Sequence, residues 1–310
     1  MQKIQRARAL FILLLLASGT SWCGPATALT AGILFSLFIG TPWPKESVVW
    51  SKKTLQLSVV GLGFGVGIVD VWSAGRAALL YTPISIVLTV TAGLLLGGLL
   101  HTPVRTSALI AFGTAICGGS AIAAMAPVIK AEDEEIAVSL AIVFSLNAAA
   151  LLIFPPIGHL FGLTERQFGL WAALAIHDTS SVVGATSAYG ASALAVGTTV
   201  KLARAIWIAP SALIASWFSR TQVKLGIPLF IIGFIAAASV RSLLPSMLDT
   251  WQALAVIARH GLVMTLFLIG TGLNREILHR VGIHPLAQGV ILWIIVSAAM
   301  LAAISGGIIR

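Results

Sequence analysis

A chain of 310 residues that is 58% hydrophobic and only 9% charged, with a mean hydropathy of +1.01, lacks the polar surface of a soluble domain, in which about a quarter of residues are charged. Its net charge of +9 is scattered singly and in pairs beside apolar runs, as topology signals are, and forms no basic stripe, which excludes nucleic acid as a partner. The apolar runs are long and continuous rather than alternating, so of the two architectures lipid admits, the helical one applies: an all-α, polytopic transmembrane bundle, one integral membrane domain over 1–310.

Residues Lys3, Arg6 and Arg8 precede an apolar run at 9–17 and have the form of a signal peptide. Bulky Trp22 before Cys23 suits no cleavage site, so the reading is an uncleaved first helix. Apolar runs then follow in order, broken by Gly, Pro or charge: 9–22, 26–41, 54–70, 77–100, 106–129, 136–160, 167–189, 191–218, 226–243, 255–273 and 286–309. Roughly 20 residues cross the hydrocarbon, which gives about eleven spans. The first two are short and divided by Gly24-Pro25; 9–41 reads either as two crossings or as one kinked or re-entrant element.

With the N-terminus inside, Lys3, Arg6, Arg8, Lys45, Lys52, Lys53, Arg105, Arg166, Arg220, Lys224, Arg275 and Arg280 fall on the inner side. Arg76, Lys130, Arg241, Arg259 and Arg310 fall outside, twelve against five, with the C-terminus outside. Sliding the chain by 207 positions lays Gly63, Gly65 and Gly75 on Gly270, Gly272 and Gly282, in two segments that would run in opposite directions; inverted repeats of this kind mark secondary transporters. Cys23 and Cys117 sit in unrelated apolar settings and have neither disulfide nor metal-ligand spacing.

Three features interrupt the apolar pattern in mid-segment. His177 and Asp178 lie at the centre of 167–189, followed by Thr179, Ser180 and Ser181. A charge at that depth costs about 3 kcal/mol or more unless it meets a partner or a watery cavity, and five successive polar residues favour a broken helix. Lys201 and Arg204 share one helix face inside 191–218. With a turn near Gly190, Asp178 and Lys201 stand at similar depth on adjacent antiparallel helices, which predicts that the carboxylate reaches the cations. With His177 neutral these charges sum to +1, which invites an anion. The third feature is Gly113-Thr114-Ala115-Ile116-Cys117-Gly118-Gly119-Ser120 in 106–129, where paired glycines break the helix and free amides for an anion. Asn147, Asn274, His101, His159 and His260 read as interhelical or interfacial groups.

The run from Gly113 to Ala124 with Pro127-Val128-Ile129-Lys130-Ala131, then His177-Asp178, Ser181-Val182-Val183-Gly184, Lys201 and Arg204, resembles the family of bacterial inner-membrane proteins grouped as sulfate exporters, over nearly the whole chain. In broad plan that family is similar to the cation–proton antiporter and anion transporter superfamily, which implies inverted repeats with unwound helices. The family's usual Glu is Asp178 here, the same charge with a shorter reach.

The expectation is a secondary transporter for a small anion: sulfate, or an organic sulfonate or carboxylate. Lys201, Arg204, Gly118, Gly119 and Ser120 would hold the anion, and Asp178, His177, Thr179 and Ser180 the coupling proton or sodium. A cation–proton antiporter using the same Asp and Lys is the alternative. A membrane enzyme is disfavoured, since no second carboxylate, metal set or nucleophile motif accompanies His177. No cofactor or metal is expected. Partners are the anion, the coupling ion, the bilayer and, in a homo-oligomer, further copies of the chain.

Overall fold

In the computed structural model, residues 2–219, 229–272 and 282–309 are described. Asn274, Arg220, Lys224, Arg275, Arg280 and Arg310 lie outside them. Among the described residues all regular structure is helical. The chain divides into two compact units, the first from Met1–Trp72 and Pro228–Arg275, the second from Ser73–Ile227 and Glu276–Arg310.

The first unit holds α1 (Gln2–Ser18), α2 (Pro25–Phe38), α3 (Pro44–Gly63), α12 (Leu229–Leu243) and α13 (Leu248–Gly270). Residues 9–41 form two antiparallel helices: Phe11 of α1 meets both Phe35 of α2 and Phe267 of α13 edge to face. Gly32 of α2 and Gly270 of α13 abut with no room for a Cβ at either, as small-residue packing in membranes requires. The third segment begins at Pro44 rather than 54, because Pro in the first turn and Glu46 near the N-terminal dipole both favour a start there, and the polar Lys52 and Lys53 are carried inside the helix. α3 and α13 end on Gly63 and Gly270, the glycines that the 207-residue shift aligns.

The second unit takes most of α4 (Ile68–Leu99), then α5 (Val104–Ala115), α6 (Gly119–Met125), α7 (Asp133–Leu160), α8 (Glu165–Ala175), α9 (Thr179–Tyr189), α10 (Ala191–Ala205), α11 (Ile208–Ser219) and α14 (Ile283–Ser305). Its axis is α7, whose 28 residues extend about 42 Å. Glu132 and Glu135 close a capping box at its start, and Asp133, Glu134 and Glu135 suit the dipole there.

By length and apolarity five described stretches could cross a membrane: Tyr81–Leu99, Asp133–Leu160, Ala191–Trp217, Pro245–Gly270 and Ile283–Ser305; a bent pair, Pro44–Gly63 with Ile68–Arg76, would make six. Segments 106–129 and 167–189 are not among them, because each is broken into helices of 12 residues or fewer, and each turns back. Arg105 at the start of α5 lies 3.6 Å from Glu132, beyond the end of α6, and Ser139 of α7 donates to the Thr106 carbonyl at 3.5 Å. Likewise Glu165 at the start of α8 accepts from the Ser192 amide at 2.8 Å, and Tyr189 at the end of α9 donates to the Leu163 carbonyl at 2.7 Å. The Tyr189 ring also stacks on Phe168 at 3.8 Å. A crossing would hold such ends some 30 Å apart. The expected broken helices are present, but as two re-entrant hairpins, α5–α6 and α8–α9, and the expectation that both segments traverse the membrane is corrected.

Candidate functional site

The hairpins enter from opposite ends of α7, the first beside Asp133–Ser139, the second beside Gly158–Leu160. Their tips, Ile116-Cys117-Gly118 and Ile176-His177-Asp178, meet at its centre. The His177 amide, freed by the break, donates to Asn147 Oδ1 at 3.0 Å, and Asn147 lies roughly 20 Å along α7 from either end. A Cβ built on Gly118 would lie 3.3 Å from Val143 and 3.4 Å from the Asp178 Cβ, so at this point the tips stand about one methyl group apart. Gly118 has φ +65° and ψ −126°, a conformation closed to side chains, which is how the chain reverses there.

Breaking a helix leaves its last carbonyls without donors. Here α10 supplies them. Lys201 Nζ donates to the Ile176 carbonyl at 2.7 Å, to Ile116 at 3.1 Å and to Ala173 at 3.4 Å. Arg204 donates through Nε to the Ala115 carbonyl at 2.9 Å, through Nη2 to the same oxygen, and through Nη1 to Leu174 at 2.6 Å. Both side chains are 0% exposed. The i, i+3 spacing places them one below the other so that they bind the C-terminal, negative ends of α5 and α8 together.

Asp178 does not pair with either cation: among the described residues neither makes a salt bridge, contrary to the expectation from depth. The depth match itself holds, but the carboxylate turns outward to cap α9, accepting from the Ser181 amide at 3.0 Å and from the Ser180 hydroxyl. The expected site residues therefore divide. Lys201, Arg204, His177 and Ser180 are buried; Gly119, Asp178 and Thr179 are half-buried, and Ser120 is exposed. The His177 ring lies by the Val143 carbonyl, yet among the described residues neither ring nitrogen makes a hydrogen bond of ordinary length, and Asn147 Nδ2 is likewise unpartnered. The junction thus holds two buried polar groups, the His177 ring and the Asn147 amide nitrogen, without a hydrogen-bond partner among the described residues. Asn147, read from sequence as an interhelical hydrogen-bonding group, makes such a bond here, to the His177 amide at the tip, and its position midway along a long apolar helix was the available signal.

A second signal lay in the tips themselves. A shift of 60 residues lays Ala115-Ile116-Cys117-Gly118-Gly119-Ser120 on Ala175-Ile176-His177-Asp178-Thr179-Ser180. Under it α5 and α8 end together, and α6 and α9 begin together. Lys201 accordingly lies between the corresponding carbonyls of Ile116 and Ile176.

Residues 23–289 match the family described as conserved hypothetical protein 698. A UPF0324 membrane protein of Geobacter sulfurreducens is 55% identical over 297 residues, 96% of this chain and 96% of the relative. One from Bdellovibrio bacteriovorus is 46% identical over 98% of this chain and 96% of its own, and one from Vibrio vulnificus 42% identical over 94% and 96%. No solved structure matches.

Proposed function

This chain belongs to the UPF0324 family of bacterial membrane proteins, and we propose that it is a secondary transporter of the inner membrane whose hairpin tips form the transport site for a small anion. The observation that carries the reading is the meeting of two oppositely directed re-entrant hairpins halfway along a membrane-length helix. Irregular backbone at that depth is tolerated where it is buried in protein or lines a watery path, and broken helices around a central site are a transporter's device. We read the two hairpins, with their 60-residue correspondence, as an inverted pair.

The charge balance favours an anion. Two half-helices bring negative ends to the tips and two bring positive ends, so the dipoles cancel to first order. Lys201, Arg204 and Asp178 then leave a formal sum of +1, with His177 neutral. Lys201 and Arg204 act as positioning residues that pin the tips and supply the field. Contact with sulfate or an organic sulfonate or carboxylate falls to Gly118, Gly119 and Ser120, while His177 and Asn147 line the junction behind. Asp178, with Thr179 and Ser180, is the candidate for the coupling ion. Nothing in this scheme needs a covalent step.

In proteoliposomes, the wild type should take up at least one of labelled sulfate, an organic sulfonate and a dicarboxylate saturably, and Lys201→Ala should lose at least tenfold. No anion uptake, with cation-dependent dissipation of an imposed pH gradient, would transfer the site to cation–proton antiport, the reading that half-buried Asp178 alone would favour.

A further inference from the structure

The Lys201 ammonium stands where carriers built from broken helices commonly hold an alkali cation. Unwound carbonyls and half-helix C-termini coordinate sodium in such proteins. Here the same kind of oxygen cage, from Ile116 in one tip and Ala173 and Ile176 in the other, closes on a nitrogen at 2.7–3.4 Å. Three acceptors match the three N–H donors of an ammonium, and a neutral amine would have only two. Arg204 fills the adjoining carbonyls of Ala115 and Leu174 in the same way. Neither cation has a carboxylate partner within salt-bridge distance among the described residues, so main-chain oxygen is the whole of their described first contact.

We propose that Lys201 is a tethered substitute for a coupling sodium ion: it occupies a monovalent-cation site between the two hairpin tips, and its removal re-creates that site for a free cation. The inference rests on the tips being the transport site, and it narrows the coupling ion by assigning sodium's place to the protein itself. Wild-type stability and transport are then indifferent to sodium, which leaves the proton as the coupling ion at Asp178.

The test uses thermal unfolding of the purified full-length protein, which needs no transport substrate and so separates this proposal from the choice of an anion. At equal ionic strength, the wild type should have the same midpoint in sodium chloride and in N-methylglucamine chloride. Lys201→Ala should unfold at a lower temperature and regain about 3–5 °C in sodium or methylammonium chloride, as for a ligand well above its Kd, but nothing in bulky N-methylglucamine. Lys201→Ser, whose short hydroxyl does not reach the cage, should respond in the same direction. A sodium-specific rise in the wild type overturns the proposal. So does a monodisperse variant that ignores both small cations. If neither variant yields a monodisperse particle, the wild-type comparison decides alone.

Discussion

At the scale of single residues, the tips combine two tasks in one side chain. Asp178 caps α9 through the Ser181 amide and also brings the only carboxylate of the two tips. Asparagine is as good an N-cap as aspartate, whereas alanine loses about 1 kcal/mol of helix stability. Asp178→Asn should therefore unfold close to the wild-type temperature while losing ion-coupled uptake, and Asp178→Ala should lose both. Equal coupling in wild type and Asp178→Asn would reduce the residue to a cap. Gly118 separates structure from chemistry in the opposite sense. Its positive φ leaves no relaxed place for a side chain. Gly118→Ala should cost about 1–3 kcal/mol through the backbone alone, and its thermal midpoint should fall even though no charge has changed.

At the scale of elements, the two hairpins explain what could and could not be read from the chain. That the middle segments are broken was legible, because Gly118-Gly119 and the run from His177 to Ser181 cannot sit in lipid as uninterrupted helix. That they turn back was not. Residues 106–129 and 167–189 are each long enough to cross, and reversing the side of the stretch between them exchanges Lys130 for Arg166. The balance stays at twelve inside against five outside under either topology, so the positive-inside rule is blind to the difference. The destination of Lys201 and Arg204 was hidden for a related reason: spacing gives depth and helix face, but not which of two acceptors, a carboxylate or a carbonyl freed by a break, stands nearer. Cysteine labelling distinguishes the topologies. In a background with Cys23→Ser and Cys117→Ala, Arg105→Cys and Lys130→Cys should react with a membrane-impermeant maleimide from the same side. Thr164→Cys and Ser192→Cys should both react from the other. A pair that labels from opposite sides would restore a crossing segment.

At the scale of the whole molecule, neither compact unit is a continuous piece of chain. The first needs Pro228–Arg275 to complete Met1–Trp72, and the second needs Glu276–Arg310 to complete Ser73–Ile227. In the first, α13 is the common wall: Gly270 seats α2, Trp251 stacks on Phe64 at the end of α3 at 5.2 Å, and His260 bonds the Gly19 carbonyl beyond α1 at 3.1 Å. In the second, Gln288 of α14 donates to the Gly93 carbonyl of α4 and to the Ser107 hydroxyl of α5, each at 2.9 Å, and Trp171 of α8 donates to the Ser297 carbonyl of α14 at 2.9 Å. One late helix thus touches both hairpins. Within a bilayer there is no hydrophobic gain from helix association itself, so packing and polar bonds of this kind decide whether a bundle closes. Residues 1–219 contain the complete pair of tips with Lys201 and Arg204, yet lack α13 and α14. Expressed alone, they should give no monodisperse particle on size-exclusion chromatography, and co-expression of 220–310 as a separate chain should restore one. A monodisperse 1–219 fragment would mean that the two tips, bridged by α10 through the Ala115, Ile116, Leu174 and Ile176 carbonyls, hold together without the helix that pins them from behind.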